Sequence, residues 1–467
     1  MRIGLGAPAD GVRGVGVGAV INLFKNDSWL SLRPDGRPAE RIAIGWNWDA
    51  AGTTLHLKLR PGVYFHDGSL LTPDIAARAL RKTARENGGA FTSVTSVSPS
   101  GDDAVDIHLK ERNAFILTEL AGAMVVKPED ENVGTGPFKL DSQDEDGGVL
   151  SAFPKYYRGS PALAGVTVTN YPTQRKAWAA MMRGDIDMLY EVSRDAADFV
   201  EAEKTVRSYT FERPYYIPLV FNVRHPLLKN PEVRRAIDQA VDREAIVRDG
   251  MAGRGKPADG PISPQNWAYS PPPVPVAFNP AEARLRLQKL AGAKLVSASG
   301  DAAKLTFTCL VFANDPRFER LASVVQKQLA DVGIDMKLQP VPQKDLIHRV
   351  GAGEFDAYLF EASGRALNRV YEFWHYSDGG FNNTGYRSAD EVLDRIRGTL
   401  SDDATIRKDV AALQRVLHED PPAAFLTWPV TSRAVSRRFD VAPEPNRDIL
   451  ANVWQWRVAA AGQQAAR

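Results

Sequence analysis

Catalysis needs side chains that can hold a metal, attack a carbonyl or move a proton, at spacings that bring them together. The seven histidines, His56, His66, His108, His225, His348, His375 and His418, are scattered along the chain, and none are four residues apart, as on a zinc-binding helix. The sole cysteine, Cys309, lies in an apolar alternation and reads as a core thiol; one cysteine excludes an internal disulfide and any site built from several thiolates. No Gly-x-Ser-x-Gly elbow is present, and no carboxylate pair stands out among the 57 acids. Phe65-His66-Asp67-Gly68 offers an adjacent histidine and aspartate, but neighbouring residues do not easily face one ion, and Asp-Gly is turn chemistry. Gly134-Thr135-Gly136 lacks the Gly-Lys-Ser/Thr ending of a phosphate loop, and Pro137 interrupts any helix there, so a tight turn before a strand is expected. The enzyme reading has no residues to carry it, and neither a metal site nor a cofactor is expected. His375 and His418 are at most weak candidates for touching a nickel chelate.

The elements that position these residues follow from hydrophobic period. Leu55, Leu57 and Leu59 alternate with His56 and Lys58 as a half-buried strand, and Thr72-Pro73-Asp74 opens a helix with Thr72 as its cap. Val166 and Val168 begin a strand, a helix covers Gln174 to Arg183, Gly184 stops it, and Asp185 to Leu189 is the returning strand. The pattern recurs about 140 residues on: Leu305, Phe307 and Cys309 alternate, Phe318 to Val332 recur at helical spacing, Gly333 ends that helix, and Ile334, Met336 and Leu338 form the next strand. Two βαβ units so far apart predict two α/β lobes rather than one sheet. The apolar run Tyr215 to Asn222 is expected to cross between them. Asn230-Pro231 caps the helix that follows, and Pro271 to Pro275 reads as an extended linker or surface loop.

A chain of 467 residues exceeds the roughly 250–300 at which one core stops growing, which also predicts two lobes. With 58 Lys and Arg against 57 Asp and Glu, the formal charge is +1, without the basic excess of a nucleic-acid binder. No stretch approaches the ~18 consecutive apolar residues of a membrane span. The apolar segment Val15 to Phe24 is glycine-broken and follows Asp10 and Arg13, so it reads as the start of the folded domain and not as a secretory signal.

Several blocks together resemble the family 5 extracellular solute-binding proteins of ABC importers, the dipeptide, oligopeptide and nickel binders. They are Arg37-Pro38-Ala39-Glu40 with Trp46, Leu59 to Gly68 followed by Leu71-Thr72-Pro73-Asp74, Val133 to Phe138, Gly184-Asp185-Ile186-Asp187, and Asn222 with Asn230 to Ile237 and Val241 to Ile246. The resemblance covers nearly the whole chain. It implies an α/β, two-lobed clamp like the periplasmic binding proteins (type II, cluster C-like), with two crossover segments. Lobe one would take residues 1–215 and 431–467, with an inserted subdomain at about 45–165, and lobe two 216–430.

It also implies a solute held in an interlobe cleft and delivered to a permease and ATPase pair, by a monomer without nucleic-acid partners outside the cytoplasm. A cytoplasmic ligand sensor on the same fold is the alternative. In peptide-binding members an aspartate of lobe two takes the ligand's ammonium, after a Gly-x-Phe-Asp block. Here that block is Gly353 to Asp356, and the stretch Glu361 to Arg369 holds no aspartate but carries Arg365 and Arg369. This predicts a ligand with a carboxylate, phosphate or sugar-like face; the alternatives are that Arg365 and Arg369 lie on a solvated turn, and that Glu361 replaces the missing acid as the anchor for a cation. Further cleft candidates are Phe24, Asn26 and Trp29 in lobe one, and Trp267, Tyr269, Trp374, Tyr376, Asn382 and Asn383 in lobe two.

Overall fold

A computed structural model describes residues 1–6, 16–272, 277–292, 305–313, 315–376 and 381–460. The chain forms two compact units, Met1–Phe211 with Thr431–Arg467, and Glu212–Val430. Part of the apolar segment read from Val15, and part of the proline-rich stretch 271–275, lie outside the described residues.

In the first unit the strands Phe138–Gln143, Gly147–Ala152, Gly165–Tyr171, Arg2–Gly6 and Met188–Leu189 lie side by side in that order. The expected βαβ unit is present, with its helix at Gln174–Met182, but its two strands are not neighbours. Arg2–Gly6 lies between them, parallel to both, so the crossover skips one strand. Asp187 locks the arrangement by accepting from the Arg2 amide at 2.8 Å and from its guanidinium at 3.1 and 2.8 Å. Burial opposes ionisation of Asp187, yet the bonds from Arg2 prevail and hold its carboxyl below the usual range. Ile3, Phe24, Phe138, Val168, Met188 and Trp456 share the core beneath this sheet.

A separate antiparallel sheet in the same unit runs Ala43–Trp48, Thr54–Leu59, Ala104–Leu109, Val94–Ser100. Leu55, Leu57 and Leu59 are buried and His56 and Lys58 are not, as the alternation predicts. The helix Pro73–Glu86 starts at Thr72, whose hydroxyl accepts from the Ile75 amide, with Pro73 in the first turn where no amide is needed.

The second unit carries the other βαβ. Leu305–Phe312 pairs directly and in parallel with Ile334–Val341, from Leu305 opposite Ile334 to Phe312 opposite Val341. The helix Pro316–Asp331 joins them, capped by Asp315, and Gly333 follows it at φ 90°. Tyr215–Phe221 is a central strand flanked by Ala357–Leu359 and by Ala423–Thr427. Pro218 cannot donate to a ladder, and the register shifts between Ile217 and Pro218. Asn230 caps the helix Pro231–Ala240 through the Glu232 amide at 2.9 Å. Cys309 is fully buried, and burial pushes its thiol well up, which keeps it protonated in the core.

Candidate ligand-binding site

Two sequence blocks meet in the first unit. The His66 amide donates to the Gly134 carbonyl at 3.0 Å, and His66 Nε2 donates to the Gly136 carbonyl at 3.0 Å. That fixes the proton on Nε2 and leaves Nδ1 buried without a hydrogen bond. Burial lowers the pKa of this imidazole, so it stays neutral. Asp67-Gly68 is a turn: the Gly68 amide reaches the Phe65 carbonyl, and Asp67 accepts from the Ser69 amide. Burial acts to raise Asp67, but Lys127 and Ser69 outweigh it and hold the carboxyl at about 2. The Gly136 amide donates to the Lys25 carbonyl at 2.8 Å, and a Cβ on Gly136 would stand 2.5 Å from the Phe24 carbonyl oxygen. Glycine is required there because two backbones touch. These blocks therefore hold the end of the helix Val17–Lys25.

Phe24, Asn26 and Trp29 belong to the interior of that unit. Phe24 is fully buried edge-on to Phe138, and Trp29 is fully buried. Asn26 is the cap residue after the helix, and its Oδ1 is buried without a partner.

In the second unit three segments converge. The start of the strand Tyr215–Phe221 pairs with Ala362–Ser363, Tyr215 opposite Ser363 and Tyr216 opposite Ala362. The loop around residues 263–269 docks on the same place: Ser263 donates to the Gly364 carbonyl, Asn266 Nδ2 to the Arg365 carbonyl at 3.2 Å, and Gln265 to Glu212 at 2.6 Å. A Cβ on Gly364 would meet the Pro261 carbonyl at 2.3 Å and the Trp428 ring at 2.5 Å. No side chain fits at that position, so it cannot supply an acid.

Glu361 stands beside this junction. Its Oε1 is 3.7 Å from Arg213 Nη1 and its Oε2 is 3.6 Å from Arg317 Nη2, both beyond hydrogen-bond length. Oε1 is buried and accepts no hydrogen bond. The Arg317 fork is engaged by Asp315, at 3.4 Å through Nε and 3.1 Å through Nη2. The Arg213 guanidinium lies over the Tyr215 ring, 4.7 Å from its centre. Among the described residues Arg213 makes no hydrogen bond through its side chain, which is 26% exposed.

The other candidates separate. Trp267 lies half-buried with Arg407 over its ring, and the Tyr269 hydroxyl donates to Asp259 at 3.0 Å. Burial and then Asp259 raise the pKa of that phenol. Trp374 is a core residue whose indole donates to the Tyr216 hydroxyl at 2.8 Å. Asn382 bridges the Tyr358 hydroxyl and the Phe373 carbonyl. Tyr376 bonds Asp390 through its amide beneath Arg387, Asn383 holds Arg224, and exposed Arg369 pairs with Glu372 one turn on. Of this set, Glu361 and Arg365 lie in the segment on which the 263–269 loop docks through Ser263 and Asn266, and Trp267 and Tyr269 are carried on that loop with partners of their own, Arg407 and Asp259. Arg213, Arg317 and Asp315 escape a sequence reading. Their only signals are a charge just ahead of an apolar strand and an Asp-Pro helix start.

Among the described residues no helix is long and apolar enough to cross a membrane, and no three His, Cys, Asp or Glu side chains group to hold a metal. The description "Bacterial extracellular solute-binding proteins, family 5 Middle" matches residues 37–384. The chain is 28% identical over 447 residues to the oligopeptide-binding protein AppA of Bacillus subtilis, covering 87% of this chain and 81% of AppA. The crystal structure of AppA with a nonapeptide superposes at a TM-score of 0.80 over 98% of this chain and 99% of AppA, at 23% identity. NikZ from Campylobacter jejuni, in complex with Ni(L-His), superposes at 0.81 with 20% identity, over 98% of this chain and 99% of NikZ. The binding protein AgaA from A. tumefaciens R10, in complex with agropinic acid, superposes at 0.78 with 21% identity, over 98% of this chain and 99% of AgaA. The fold is that of the two-lobed binding proteins. The chain belongs to family 5 of the bacterial extracellular solute-binding proteins, and it is a substrate-binding component of an ABC-type importer and not an enzyme.

Proposed function

We propose that this chain works outside the cytoplasm as a monomer, without nucleic-acid partners, and that it carries a small polar solute rather than free peptides held by their amino end. The observation that carries this reading is the surroundings of Glu361. Where the peptide binders are expected to present an aspartate to a ligand ammonium, this chain has a glycine packed on Trp428 and a glutamate between two guanidinium groups. Arginine forks beside the site disfavour a bare cation and favour an anionic or polar face. Arg365, and Trp267 and Tyr269 on the loop whose Asn266 bonds the Arg365 carbonyl, are the further ligand candidates. The relatives named above were solved with a nonapeptide, Ni(L-His) and agropinic acid, so the scaffold alone does not choose the ligand.

A thermal-shift screen of amino acids, free di- and tripeptides, sugars and small anions tests this. A ligand at one hundred times its Kd stabilises the folded chain by about 2.7 kcal/mol. We expect a shift of several degrees from a solute bearing a carboxylate or other anionic group, and none from the peptide panel. Tight binding of several free peptides, lost on Glu361→Ala and kept on Arg365→Ala, would defeat this reading.

A further inference from the structure

Arg213 and Glu361 form an incomplete pair. Glu361 Oε1 is a buried acceptor with no donor, which is unfavourable for such a group. Arg213 is a donor fork with no acceptor among the described residues, and the nearest atoms of the two stand 3.7 Å apart. Neither neighbour relieves them. The Arg317 fork is engaged by Asp315, whose side chain also caps the helix Pro316–Asp331. Tyr215 fixes the guanidinium plane of Arg213 from one side. Arg369 is turned to solvent on Glu372.

Resting on the solute-binding reading above, we propose that Arg213 and Glu361 receive the zwitterionic head of a free α-amino acid or a derivative that keeps that head. The ligand carboxylate takes the Arg213 fork in a bidentate bond, and the neighbouring ammonium donates to Glu361 Oε1. One ligand head then satisfies the orphan acceptor and the orphan donor together, and the two charged groups on the ligand's α-carbon match two protein charges less than 4 Å apart. A simple anion satisfies Arg213 but leaves Glu361 without a donor. A simple amine does the reverse and meets the Arg213 charge. A peptide amino end carries a neutral amide where the carboxylate should be, so free peptides should bind poorly at this pair.

Isothermal titration of the full chain with the free amino acids histidine, glutamate, arginine and leucine, and with the N-acetyl and C-amide forms of each, tests the assignment. At least one free amino acid should bind, and blocking either end of it should weaken binding tenfold or more. In Glu361→Gln the N-acetyl penalty should shrink to within about threefold, and in Arg213→Met the amide penalty should do so. Arg213→Lys, which keeps the charge without the fork, should fall between. Unliganded melting curves check that each variant folds. Equal binding of free and blocked forms, or wild-type affinity in both variants, overturns the proposal. If sugars or simple anions bind while no amino acid does, the zwitterion assignment fails and the solute-binding reading stands. If no solute of any class binds, both fail.

Discussion

Arg243→Ala lowers the unfolding free energy of this protein by about 3–5 kcal/mol, the range for breaking a buried ion pair from one side. The Arg243 side chain is 9% exposed, and its partner Asp238 is 10% exposed. Its Nε donates to the Ala258 and Phe425 carbonyls at 2.9 and 2.7 Å, its Nη1 to the Asp238 and Val241 carbonyls at 3.3 and 3.4 Å, and its Nη2 to the Asp238 carboxylate. Truncation leaves a carboxylate in an apolar interior and takes a donor from four main-chain carbonyls. Burial already pushes the Asp238 pKa up despite Arg243, and removing the arginine pushes it up further. Arg243→Lys keeps the charge but not the fork, and its loss should be smaller. Chemical unfolding followed by circular dichroism measures both. A loss under 1 kcal/mol for the alanine variant would show that the side chain is not holding these segments.

Asp27→Ala is expected to cost a similar 3–5 kcal/mol in the first unit. Asp27 is 2% exposed, accepts from Arg41 Nε at 2.6 Å and from the Tyr156 hydroxyl at 2.8 Å, and also pairs with Arg41 Nη2. Burial raises the Tyr156 pKa, so that hydroxyl remains a donor at any working pH. Removing the carboxylate strands the Arg41 charge, whose side chain is 19% exposed. Asp27→Asn retains a single acceptor and should lose less than the alanine variant. Equal stability of wild type and Asp27→Asn would contradict a role for the charge.

Period and punctuation made much of the fold legible. The alternation Leu305-Phe307-Cys309, the apolar stripe from Phe318 to Val332 and Gly333 predict the second βαβ, and its strands pair as read. The first βαβ was legible in its elements but not in its neighbours, because nothing local in residues 165–189 announces that Arg2–Gly6 inserts between the two strands. The Asn230 to Ile246 block reads as a family mark in sequence. Physically it is a pair of buried arginines, Arg234 holding the Pro421 carbonyl and Arg243 the Phe425 carbonyl, each some 180 positions away. The departure at Glu361–Arg369 was visible, but its content was not. Arg365 and Arg369 carry the charge in the sequence, whereas the guanidinium groups beside Glu361 come from Arg213, in the connection before the strand Tyr215–Phe221, and from Arg317, in the helix Pro316–Asp331. Side-chain contacts between distant segments depend on how sheets and helices pack, which a hydrophobic period does not encode.

Binding without reaction is read by native mass spectrometry of the full chain, incubated with the solute panel and then denatured to release what it holds. One equivalent of a small zwitterionic or anionic solute should be released with its mass unchanged, because the chain binds and does not react. A released product of altered mass, or an apo chain after exposure to every class in the panel, would contradict it.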